Sequence, residues 1–182
     1  MISPTELQRF TPAQIAVIND AAAMAEELVS NAYKMSASQW LRRKYDFKTV
    51  ADLDPGEIVN GPFAQIVRYE GQRMDSFLGS AIYDFYKICL QDHAILEAMR
   101  HDRGIKLFPF SLYILTHELI HVVRFSKFLC NFAATDNERM AEETIVHQET
   151  HDMLSRLTLD GLPEVFRFYN KWRLPMEQVS DS

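Results

Sequence analysis

The chain has 182 residues, 47% of them hydrophobic, and a formal net charge of −6 at pH 7. That length and apolar content suit one globular domain with a core of its own and argue against a disordered chain. The acidic balance and the lack of any Lys/Arg-rich run argue against a nucleic-acid-binding surface.

The opening residues Met1-Ile2-Ser3-Pro4-Thr5-Glu6 have no basic region leading into an apolar core, so no secretory signal is read there and a cytoplasmic location is expected. The nearest approach to a membrane span, around Phe108 to Leu129, carries His117, Glu118, His121, Arg124 and Lys127, which are costly in lipid. It is read as a buried helix, with no membrane partner. Cys89 and Cys130 are too few for a disulfide framework and are expected as reduced, partly buried thiols within helices.

Thr11-Pro12 has the cap followed by a first-turn proline that opens many helices. The predicted helix runs from Pro12 to about Tyr33, with Ile15, Ile18, Ala22, Ala25, Leu28 and Ala32 at helical spacing. Ser36 or Ser38 is placed to cap a shorter helix through Trp40 and Tyr45, with Arg42, Arg43 and Lys44 facing solvent. From Phe47 to Pro62 the residues Asp52, Asp54, Pro55, Gly56, Asn60 and Gly61 are turn chemistry, with at most a short helical turn near Val50.

The next segment has two readings. Phe63 to Tyr69 is either a short strand ending at Gly71 or the start of a helix that continues to His101. The helical reading, which is preferred, puts Glu70, Asp84 and Asp92 on one stripe with Phe63, Val67, Met74, Phe77, Ala81, Ile88, Ile95 and Met99. The strand reading starts the helix at Asp75 or Ser76 instead. Gly104 ends the segment, and Pro109 opens a long helix whose Leu, Ile, Val and Phe residues cover most of its circumference. This helix is expected to be the central, most buried element.

Asn131 to Asn137 closes it, with Thr135 or Asp136 available to cap a further helix from about Asn137 to Leu157. The inward stripe of that helix reads Met140, Glu143 and Thr144, His147, Thr150 and His151, Leu154, Leu157. A short aromatic helix through Val165, Phe166, Phe168, Tyr169 and Trp172 follows, and the tail from Pro175 reads as disordered. The fold class that results is mainly α: a single-domain helical bundle over residues 1–182 around one buried central helix, with a short strand near 64–69 as the open alternative.

The chemistry concentrates in His117-Glu118-Leu119-Ile120-His121, a His-Glu-x-x-His pattern inside an apolar helix. The two histidines are one turn apart on one face and can both offer a ring nitrogen to one metal ion. Glu143 is placed to be the third ligand, leaving a fourth position for water, and Glu118 to take a proton from that water as it attacks a carbonyl. His147 and His151, one and two turns beyond Glu143, are further ligands or orienting residues, as are Glu70 and Asp92 on the preceding segment. His151, Tyr113 and Tyr169 are candidates to stabilise an oxyanion.

The motif, 21 intervening residues and then Glu143 resemble the gluzincin class of zinc metallopeptidases, thermolysin-like enzymes included, over about residues 113 to 151. The resemblance implies His117, His121 and Glu143 as zinc ligands, Glu118 as general base, and a peptide or other small molecule with an amide-type carbonyl as substrate. His147 stands where that family has an aspartate.

A rival resemblance is to ferritin-like di-metal bundles. There Glu118 and His121 form a Glu-x-x-His pair, and Glu143 and His147, with Glu70, Asp92 or Glu26, hold two iron or manganese ions for redox or oxygen chemistry. A third alternative is a helical interaction protein in which the same residues bind no metal.

Overall fold

The computed structural model describes residues 7–36, 38–39, 44–72, 82–127, 129 and 131–173, excluding the side chains at 44, 70–72, 82–84 and 171–173. The elements in chain order are α1 (Pro12–Ala32), β1 (Lys44–Lys48), two 3-10 turns (Val50–Asp52 and Pro55–Glu57), β2 (Ala64–Gln72), β3 (Ile82–Leu90), α2 (Asp92–His101), α3 (Leu107–Ser126), α4 (Asp136–Leu154) and α5 (Leu162–Arg173). The structure is mostly helical, as expected, but its sheet has three strands where the sequence suggests at most one. The chain divides into two compact units, Met1–Thr11 with Met35–Glu97, and Pro12–Lys34 with Ala98–Ser182. No helix among the described residues is long and apolar enough to cross a membrane.

In the first unit β3 is the central strand, paired in parallel with β1 and antiparallel with β2. The helix predicted from Phe63 to His101 does not form. Its first part is the strand alternative, longer than expected, and α2 begins only at Asp92. The reason lies in β3, Ile-Tyr-Asp-Phe-Tyr-Lys-Ile-Cys-Leu, which is rich in the branched and aromatic residues that favour a strand. Burial alternates from Phe85 to Ile88, but Ile88, Cys89 and Leu90 are buried in succession, which blurs the two-residue period. Cys89 is a free, buried thiol on this strand rather than on a helix. Tyr45 likewise lies in β1 and not in the short helix predicted there, while Trp40, Arg42, Arg43 and Cys130 are outside the described residues, as is the tail from Pro175.

The connection between β1 and β2 is fastened by buried polar groups. The fully buried Gln91 amide donates to the carbonyls of Glu57 (3.0 Å) and Cys89 (3.1 Å) and accepts from the Val59 N–H (3.0 Å). The Glu57 carboxylate accepts from Lys87 Nζ at 2.7 Å, from the Tyr69 hydroxyl at 2.6 Å and from the Asp54 N–H at 2.9 Å. These bonds hold its carboxyl down at about 2, the Lys87 contact first and the Tyr69 and Asp54 donors after it.

In the second unit α3 is the central element, packed by α1, α4 and α5. Pro109 to His117 and Leu119 to Val123 are all buried, as its all-round apolar pattern predicts. The small residues Ala21, Ala22 and Ala25, buried on α1 with Ile18 and Val29, let that helix approach α3 closely. α4 opens on Thr135, whose hydroxyl accepts the Glu138 N–H while the Glu138 carboxylate accepts the Thr135 N–H at 2.8 Å, two otherwise orphaned donors satisfied reciprocally. The buried face of α4 is Val146, His147, Thr150 and Leu154, while Met140, expected inward, is 49% exposed. Gly161, at φ +82°, makes the turn into α5 with Pro109 so close that a Cβ would meet its ring at 3.0 Å, so the position excludes other residues twice over.

Candidate metal centre

The site is built where the middle of α4 faces the middle of α3. On α3 Leu119, Ile120, Val122 and Val123 are buried around the motif, and the i, i+4 spacing gives His117 and His121 one common face. Their rings meet at 4.8 Å, and their Nε2 atoms lie 3.1 Å apart. Each Nδ1 is buried and has no hydrogen-bond partner among the described residues, and Nε2 is the nitrogen that each ring turns to the cluster.

From α4 the Glu143 carboxylate reaches both rings, Oε1 to His121 Nε2 at 2.9 Å and Oε2 to His117 Nε2 at 3.2 Å. His147, the next residue on the same face, has its Nε2 3.7 Å from Glu143 Oε2. The three histidines are each 7% exposed, whereas the Glu143 side chain keeps 49% of its surface and forms the solvent side of the cluster. His117, Glu143 and His147 each offer a ligand atom within 4.8 Å of the others, and His121 joins them through its contacts with His117 and Glu143.

The electrostatics match the geometry. Burial pushes the Glu143 carboxyl up, but hydrogen bonds and charge from His117 and His121 outweigh it and hold the group well below the ordinary carboxylate range. Burial pulls His121 down, and the carboxylates of Glu143 and Glu118 more than reverse this, leaving its imidazolium favoured. Glu118 is half-buried and makes no hydrogen bond to any described residue. Burial raises its carboxyl above the usual range despite the two histidines, with the Glu143 charge adding to the rise.

Of the residues singled out in the sequence, His117, His121, Glu143 and His147 come together and Glu118 stands beside them. His151 is half-buried one turn further on, its ring against Phe166 at 4.4 Å. Asp92 does not join them: its two oxygens accept the Val50 N–H (3.0 Å) and the Phe10 N–H (2.8 Å), which makes it a fastening of the first unit. Glu70 lies on β2 opposite Asp84 in register, and its side chain is outside the described residues. Tyr113, considered for an oxyanion, instead has its hydroxyl 2.8 Å from His147 Nδ1.

One supporting pair escapes the sequence reading. Arg124, one turn beyond His121, forms a two-pronged ion pair with Glu142, beside Glu143, and a longer contact to Glu149, which also accepts the Tyr33 hydroxyl. The signal available was an arginine on an almost wholly apolar helix, since a buried guanidinium requires a carboxylate.

The donor set fits a metal. Four ligands at about 2.0–2.1 Å in tetrahedral array are separated by roughly 3.3 Å. The contacts of 2.9, 3.1 and 3.2 Å among His117, His121 and Glu143 all fall slightly short of that edge. Compared with family models, curated proteins and solved structures, the chain matches none of them.

Proposed function

We propose that the protein binds a single zinc ion through His117, His121 and Glu143 and is a metal-dependent hydrolase of peptide or small-molecule carbonyl substrates, with Glu118 as general base. The observation that carries this reading is the convergence of two Nε2 atoms and one carboxylate at mutual distances of 2.9 to 3.2 Å from two different helices. Nitrogen donors with one carboxylate favour zinc over calcium or magnesium. Zinc when bound supplies Lewis acidity and brings the pKa of water toward neutrality.

The chain's own residues do the rest. Glu143 would neutralise part of the added charge on the solvent side, while the apolar residues of α3 shield His117 and His121. Glu118 follows the ligand His117 directly and has no competing hydrogen bond to a described residue, so its carboxylate is available to accept a proton. Its raised affinity for that proton suits it to hold the proton and release it to a leaving group. These assignments keep the gluzincin-like reading of the motif. A pair of iron or manganese ions is served less well, because among the described donors one carboxylate meets three imidazoles and bridging carboxylates are lacking. The free Cys89 thiol fits a reducing cytoplasmic setting.

Metal analysis of protein purified without added metal is expected to give about one zinc per chain, and Glu118→Gln is expected to retain zinc while losing hydrolysis of a fluorogenic peptide library. Two iron or manganese ions per chain, or loss of metal in the Glu118 variant, would overturn the assignment.

A further inference from the structure

His147 is the imidazole that a centre of two histidines and one glutamate does not require. It is nevertheless as buried as His117 and His121, and its ring centroid lies 4.2 Å from that of His117. Its Nε2 is on the cluster side, 3.7 Å from Glu143 Oε2, and its Nδ1 is on the other side, 2.8 Å from Tyr113 Oη. Tyr113 is 1% exposed and lies flat on Tyr169, with ring centroids 4.0 Å apart and planes 8° from parallel. A ring held this way cannot swing its hydroxyl to another partner.

We propose that His147 is a fourth ligand to the metal and that Tyr113 is its positioning residue; the inference rests on the single-metal reading of the site. A neutral imidazole carries one proton, and only the other nitrogen has a lone pair to give. When the Tyr113 oxygen accepts from Nδ1–H, the proton is fixed on that side and Nε2 faces the cluster bare. Without the hydroxyl, the proton can sit on Nε2, where the Glu143 carboxylate would attract it. Second partners of this kind raise metal affinity by fixing tautomer and ring direction.

The consequence is chemical. Three imidazoles and one carboxylate would give a metal four protein donors, as in closed, tightly held sites, whereas a hydrolytic site keeps one position for water. His147 would thus be the donor that has to withdraw before a substrate carbonyl or water could take its place. Turnover by the wild type would then be limited by how often His147 withdraws, and removal of His147 would exchange metal affinity for access.

The test uses the full chain loaded with cobalt(II), together with zinc affinity measured by chelator competition, for the wild type, His147→Ala and Tyr113→Phe. Tyr113→Phe keeps the stacked ring and removes only the hydroxyl, and circular dichroism checks the fold of both variants. His147→Ala is expected to weaken zinc binding about 100-fold and change the visible cobalt spectrum, with added imidazole restoring the wild-type bands. Tyr113→Phe is expected to weaken zinc binding about tenfold, at the lower end for an orienting partner, with a smaller spectral shift in the same direction. If both variants keep the wild-type spectrum and bind zinc within twofold of the wild type, the inference is overturned while the metal reading stands. If the wild type binds neither cobalt nor zinc, the metal reading falls and takes the inference with it.

Discussion

Residue by residue, the centre is a set of groups whose charges are in balance only together. In the metal-free protein, Glu143 is held below its ordinary range and His121 above its own, so each prefers its charged form in the presence of the other. The Glu143 contribution is in place above its unfolded value of about 4.3 and is lost as pH falls below it toward the folded value. The His121 contribution is in place below its unfolded value of about 6.5 and is lost as pH rises through the raised folded value. The pair therefore stabilises the metal-free protein most between about pH 4.5 and 6.5. Thermal melts of chelator-treated protein should show a maximum in that window that disappears in Glu143→Gln; an unchanged pH profile in the variant would refute the pairing. Zinc competes with the His121 proton, so zinc affinity should fall about tenfold per pH unit below the folded His121 value. The residues of this balance were legible in the sequence because each pair is one helical turn apart, His117 with His121 and Glu143 with His147. Tyr113 was singled out there for an oxyanion and not as a partner of His147, since its contact with His147 crosses between helices.

At the scale of elements, the centre depends on the register of α3 against α4, and Arg124 sets that register. Its guanidinium is 11% exposed and meets Glu142 (13%) and Glu149 (34%), both on α4. Replacing it with methionine leaves two partly buried carboxylates without their cation, at a cost of about 3 kcal/mol. A urea titration of Arg124→Met should show that loss, with Arg124→Lys intermediate because an ammonium cannot make the two-pronged contact. Equal midpoints for all three proteins would mean that the ion pair does not hold the helices.

The sheet has its own fastening in Glu57, 8% exposed against Lys87 at 16%. With a folded value of about 2 against about 4.3 when unfolded, Glu57 contributes stability above about pH 4.5 that is lost as pH falls toward 2. Glu57→Gln should cost about 3 kcal/mol at pH 7 and make acid unfolding shallower; a wild-type acid profile would count against this account. The Glu57 fastening was not readable from the chain, where Glu57 sits among turn residues, and Arg124 gave only the signal of a charge on an apolar helix, without its partners.

Across the whole molecule the cluster belongs to the helical unit alone, since His117, His121, Glu143, His147 and Tyr113 all fall within Ala98–Ser182. A metal that ties α3 to α4 should stabilise that unit by about 2.7 kcal/mol at a free concentration 100 times its dissociation constant. Hydrogen exchange with and without zinc should register the gain in the amides of α3 and α4, with the amides of β1, β2 and β3 unchanged. A uniform gain across helices and sheet would refute the confinement.

The sequence by itself determined the helices and the donors, because both are short-range properties. The span Pro12–Ala32, the all-round apolar α3, the cap at Thr135 and the one-turn spacing of the ligands are written within a few residues of each other. Tertiary structure decided the rest. Whether residues 64–72 and 82–90 are strand or helix depends on the partners β3 finds in β1 and β2, and apolar spacing dense enough to satisfy both periods does not distinguish them. Asp92 carries the same carboxylate as Glu143, but its place at the start of α2 turns it onto backbone N–H groups of residues 42 and 82 positions away. The centre itself exists only because two helices bring Nε2 atoms and a carboxylate within about 3 Å, a contact no local pattern encodes.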